Sequence, residues 1–212
     1  MTLHYWSVVG SDAGQGRDCC WWYNERANVS VLAGAAWAKG WVALEEYSTL
    51  KRAEAPTSGV DDEGDSGARG RVDLYVSTPH EDCAFEAKQV WVRLGPDFVD
   101  AGCSGKIAEG KKAARRDALK LLGEASAHYA VTFVVPFVSP EGLANSTVAE
   151  FPENLCRWLS GFATHSESAD CASDHGSMQM AYVFPRLDER CYVNAAGFYY
   201  PGVVAFVEVV GQ

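Results

Sequence analysis

The apolar and polar positions divide the chain into a helix, two strands, a helix and a strand, followed by a mixed tail. From Asn28 to Arg52 the period is helical, with Val29, Leu32, Ala36, Ala43, Leu44, Tyr47 and Leu50 on one broad apolar side. Asn24 or Asn28 can cap its start, Lys51 and Arg52 suit its C-terminal dipole, and Gly40 marks a kink or a break into two helices. Residues 53 to 70 are rich in Gly, Asp, Ala and Ser and predict a long surface loop. Its acidic run lacks the spacing and closing Glu of an EF-hand and is read as solvated. Strands are predicted over Arg71 to Ser77, with Val72, Leu74 and Val76 on one face, and over Cys83 to Leu94, joined by Thr78 to Asp82. A second helix is expected over Ile107 to Leu122 and an apolar strand over Tyr129 to Val138. Beyond Pro140 the pattern predicts a helix near Glu153 to Phe162, a polar loop from Thr164 to Ser177, and strands near Met180 to Pro185 and Val203 to Val210.

Composition changes this picture little. In 212 residues, 48% are hydrophobic and 22% charged, which is ordinary globular usage and predicts one folded domain, its α/β class following from the order of elements above. No stretch approaches 18 uninterrupted apolar residues, so no membrane partner is expected. Met1 to Gly10 lacks the basic segment and apolar run of a secretory signal, and the seven cysteines are irregularly spaced. A cytoplasmic location with reduced thiols is the expectation.

Charge matters more. A formal net charge of −10 opposes non-specific attraction to phosphate backbones. Between Lys106 and Lys120, however, six cations face two anions, so a local basic face is expected on the second helix. Lys111 and Arg115 flank its apolar stripe of Ala114, Ala118 and Leu122, and are candidates for contacting a phosphate.

The candidate chemistry lies on the two strands. In CAFEAKQVW, Glu86 and Lys88 project from one face, while Phe85, Ala87, Gln89 and Trp91 project from the other. Asp73 has the opposite parity from Val72, Leu74 and Val76, so burying those aliphatics can aim Asp73 toward Glu86. Paired carboxylates suit a hard divalent cation, which lowers the pKa of bound water and neutralises charge developing on a phosphate. Mg²⁺ or Mn²⁺ fits oxygen ligands better than zinc does, with Asp73, Glu86 and the Ala87 carbonyl as candidate ligands and Lys88 orienting the water. Gln89 is read as structural. Gly105-Lys106 fails as a phosphate loop because Ile107 replaces the required Ser or Thr, and Cys171 with His175 lacks the paired motif of a zinc site.

Asp73 in GRVDLYV, followed after twelve residues by Glu86-Ala87-Lys88 in FEAKQ, resembles the PD-(D/E)xK nuclease superfamily, with Val72 where Pro often precedes the Asp. The resemblance covers about residues 25–138. It implies a restriction-endonuclease-like core of helix, strands, helix and strand, with residues 139–212 as a C-terminal α/β extension. It also implies metal-dependent phosphodiester hydrolysis, a nucleic-acid partner with DNA the first expectation, and compatibility with a homodimer. The alternative is a catalytically inactive nuclease-fold protein that acts as a binding or structural module. Many members of that superfamily carry another Glu on the first helix, for which Glu25, Glu45 and Glu46 are candidates. On one continuous helix Glu46 lies at the border of the apolar face, about 40° from Leu32 and Leu50, and Glu45 points away. Glu25 would stand about 30 Å from Glu46 along that helix, so the two cannot share a site unless Gly40 breaks it. The expectation is Glu46.

Overall fold

The computed structural model describes residues 18–52, 68–95, 103–123, 125–145, 150–167, 178–185, 187 and 191–211. Most of the acidic loop, together with Cys171 and His175, lies outside them.

Helix α1 (Glu25–Ala38) begins at Asn24, whose side chain accepts the Ala27 N–H. It buries Val29, Ala33 and Ala36. It ends well before Arg52, because Gly40 adopts φ +78, a left-handed turn that glycine makes without strain, and the chain reverses into strand β1 (Val42–Lys51). The single long helix expected over Asn28 to Arg52 is thus a helix and a strand.

The helical look of the second half has a physical origin at Glu46, which sits at φ +53 and breaks the strand's alternation. Ala43 joins the main core and Glu45 accepts a hydrogen bond from Ser30 of α1. Tyr47 instead stacks on Tyr75. The same slip reaches strand β2 (Ala68–Ser77). Leu74 and Val76 pack in the main core with α1, whereas Val72 packs with Ala84 and Leu121 in a second cluster, so the three do not share one face as expected.

A turn closed by the Thr78 N–H on the Glu81 carbonyl leads to β3 (Asp82–Leu94). Helix α2 (Cys103–Ala118) and the short β4 (Leu121–Leu122) then precede β5 (Ala127–Val138). β5 runs parallel to β3 in unbroken register from Cys83↔Ala127 to Leu94↔Val138. Such a pair needs a crossover, which α2 supplies. At Gly110 the helix approaches so closely that an added Cβ would strike the Val90 side chain. On β3, Val90 faces α2 while the adjacent Gln89 hydrogen-bonds Asn28 of α1, so the two helices cover opposite faces of the sheet.

The tail contributes α3 (Pro140–Ala144), α4 (Phe151–Glu167), β6 (Met178–Val183) and β7 (Val203–Gly211). The fold is mixed α/β, with one seven-stranded mixed sheet in the order β4-β1-β2-β3-β5-β7-β6. The tail therefore extends the same sheet, with β7 lying between β5 and the edge strand β6. Phe151, Leu155, Trp158 and Leu159 of α4 belong to the main core. Among the described residues no helix is long and apolar enough to cross a membrane.

Candidate active site

β2 and β3 pair over only four positions, from Ser77↔Asp82 to Leu74↔Phe85, while β2 stays paired with β1 as far as Lys51↔Ala68. The sheet therefore forks just where Asp73 and Glu86 would be the next opposed pair. On the open edge of β3 main-chain amides lose their strand partner, and carboxylates replace it. Asp73 Oδ2 accepts the Ala87 N–H at 2.8 Å, and Glu25 Oε2 accepts the Gln89 N–H at 3.0 Å.

Glu25 is thus the helix acid at the fork. It is the first residue of α1, held in place by the Asn24 cap and by Asn28. Asn28, 3% exposed, donates to Gln89 Oε1 at 2.7 Å, and Gln89 in turn donates to the Trp21 carbonyl at 3.4 Å. Gln89 accordingly has the structural role expected of it, tying α1 to β3.

Glu86 is 3% exposed, with Lys51 Nζ 2.7 Å from its Oε1. Burial pushes its carboxyl up to about 7; Lys51 opposes this and the Asp73 charge adds to it. Burial likewise raises Glu25, with Lys88 opposing and Asp73 adding. Lys88 Nζ donates to the Ala87 carbonyl at 2.8 Å and meets Asp117 of α2 at 3.3 Å. Burial alone would lower its pKa, but Glu25, Asp117 and Asp73 outweigh burial and hold it above the usual lysine value. Lys88 is therefore a firmly charged ammonium. Asp117 is held low despite its burial by Lys88 and Arg116.

The candidate residues separate into two groups. Asp73, Glu86, Ala87 and Lys88 meet at the fork. Glu46 needs correction, because it stands on β1 rather than on a helix. Its carboxylate is bound by Arg26 at 2.5 Å and Arg71 at 3.2 Å, both cations 68% exposed. Even so, a cavity of about 270 Å³ is lined by Glu25, Glu46 and Asp73 together, so Glu46 stands at its rim and Glu25 deeper, beside β3. Lys111 and Arg115 turn away from the fork. Arg115 forms an ion pair with Glu208 of β7, and Lys111 Nζ lies 3.5 Å above the Phe206 ring and 3.6 Å from Met178 Sδ. Burial lowers the Lys111 pKa, with Glu208 opposing.

Sequence reasoning weighed Glu25 and set it aside for Glu46, and it missed Lys51 and Asp117. The Asn-Glu pair at 24–25 was the available signal for the first, being a helix cap followed by an acid in the first turn. Among the described residues no three His, Cys, Asp or Glu side chains gather closely enough to hold a metal ion. Compared with known proteins, the chain matches no family model, no curated protein and no solved structure.

Proposed function

We propose that this chain is a divalent-cation-dependent nuclease with a restriction-endonuclease-like core, acting on DNA. The observation that carries the reading is the fork, where three acids, Asp73, Glu86 and Glu25, adjoin the ammonium of Lys88 at an opened edge of the sheet. Burying a carboxylate is costly unless a cation neutralises it, and burial, with the Asp73 charge adding to it, is why Glu25 and Glu86 hold their protons more tightly than usual. The donors are carboxylates and a main-chain carbonyl, a set that fits Mg²⁺ or Mn²⁺.

Asp73, Glu86 and the Ala87 carbonyl would hold the ion. When bound, it supplies an acidified water and neutralises phosphate charge. Lys88, fixed by Asp117, places a positive charge where the attacked phosphate becomes more negative. Glu25, whose carboxyl burial holds above the usual carboxylate range, stands beside β3 as the candidate to take a proton from the attacking water. Arg26 and Arg71, exposed around Glu46, are better placed for substrate phosphates than Lys111 and Arg115.

A specific observation favours the non-catalytic alternative. Glu86 and the Ala87 carbonyl are already engaged by the chain's own ammonium groups, Lys51 and Lys88. Incubating single-stranded, double-stranded and circular DNA and RNA with Mg²⁺ or Mn²⁺, beside calorimetric Mn²⁺ titration, decides between them. The nuclease reading expects cleavage and Mn²⁺ binding that both vanish in Asp73→Ala. No cleavage of any substrate by the wild type would leave the binding module.

A further inference from the structure

We propose that a second cavity, on the sheet face that carries Glu86, receives one unpaired base of the strand being cut. The proposal takes its substrate class from the nuclease reading. The cavity holds about 390 Å³, at the small end of the roughly 300–1,000 Å³ of ligand pockets, and suits a single ring system better than a base pair.

Its walls suit such a ring. Tyr47 stacks on Tyr75, with ring centroids 5.3 Å apart, and remains 39% exposed. Leu50, 52% exposed, and Leu121 add apolar surface. An aromatic face beside aliphatic wall is what a base stacks on, whatever its identity. His128 borders the same space, and burial holds its pKa below the usual value, so near neutral pH it offers one donor and one acceptor to a base edge. Arg69, exposed at the rim, supplies a cation for the flanking phosphate.

The cavity adjoins the fork. Ala84, on its floor, precedes Glu86 by two residues and so shares its face of β3. Gly70, also in the lining, lets the Lys51 stem cross to Glu86, since a Cβ there would stand 2.8 Å from Lys51 Cγ and Cδ. A base seated here would place its strand's backbone beside the acids. In a duplex that base has both ring faces covered and its edge engaged, so entry requires a single strand, a frayed end or a flipped nucleotide.

The test is fluorescence anisotropy with end-labelled hexathymidylate and with the same strand carrying abasic residues, in EDTA and again in Ca²⁺. The wild type should bind the intact strand about tenfold or more tighter than the abasic one. Tyr47→Ala combined with Tyr75→Ala should erase that preference and leave abasic-strand affinity unchanged. Tyr47→Phe with Tyr75→Phe should retain the preference, which separates lost stacking from a folding defect. Equal wild-type affinity for the two strands in both conditions overturns the proposal, as does competition by thymidine monophosphate as strong as that of the intact strand. A base preference without cleavage in Mg²⁺ or Mn²⁺ would support the pocket and overturn the nuclease reading alone.

Discussion

At the fork between β2 and β3, carboxylates from β2, β3 and α1 line an opened sheet edge beside two ammonium groups, whereas on the face where α2 meets β7 the cations are matched by local partners. Asp73 and Glu25 accept the main-chain amides of Ala87 and Gln89, Glu86 pairs with Lys51, and Lys88 reaches the Ala87 carbonyl and Asp117. Arg115 pairs with Glu208, and Lys111 rests on an aromatic ring and a thioether. In the linear sequence the second region is the more obviously charged, with six cations in fifteen residues. The difference teaches that a run of like charges says little about function until its partners are known. Imbalance inside a buried site says more, because low-dielectric surroundings leave it uncompensated.

The largest expected effect breaks this comparison most directly. Asp73→Ala and Glu86→Ala should lose Mn²⁺ affinity and cleavage together, while Lys88→Ala should keep the metal and lose turnover by about 10²-fold or more. Lys111→Ala should change turnover by no more than about twofold. Calorimetry beside a cleavage assay checks all four variants, and undiminished cleavage by Lys88→Ala would remove the proposed role of that ammonium.

The pH response sharpens the contrast. Glu86 titrates at about 7 in the folded chain against an ordinary 4.5, so the folded state holds its proton more tightly than the unfolded chain does. Metal-free protein should therefore lose stability as pH rises from about 4.5 to 7 and level off above, by about 3 kcal/mol at most. Glu86→Gln should flatten that slope in urea melts. Cation binding should run the other way, with Mn²⁺ affinity falling about tenfold per pH unit below 7 as the proton competes for the carboxylate.

On the balanced face, Arg115→Ala leaves Glu208 buried without its cation and should cost about 2 kcal/mol in denaturant melts, with turnover unchanged. Arg115→Met combined with Glu208→Leu should recover most of the loss. Smallest of all, Arg26→Ala removes an ion pair between exposed groups and should alter stability by only about 0.5 kcal/mol.

What was legible in the sequence was local. Glu86 and Lys88 share a face because strand alternation fixes it over two residues, and the turn at Thr78 to Glu81 follows from its polar residues. β1 was misread because the positive φ at Glu46 shifts the phase of the pattern, making apolar positions 43, 44, 47 and 50 look helical. That error moved the helix acid from Glu25 to Glu46. The targets of Lys111 and Arg115 lie 67 and 93 residues away, and nothing in the spacing of α2 announces them. The strands near residues 180 and 205 were readable as strands. Insertion of β7 between β5 and β6 was not, since sheet order depends on which edges remain open after the core assembles.

The carboxylates that replace the missing strand at the fork also make β3 a reporter of its own charge state. The amides of Ala87 and Gln89 are shielded by side chains that can be protonated or drawn toward a cation, not by a permanent neighbouring backbone. Their hydrogen-exchange rates and proton chemical shifts should therefore track occupancy of the site. The Val131 and Phe133 amides of β5, within the paired sheet, serve as the internal standard.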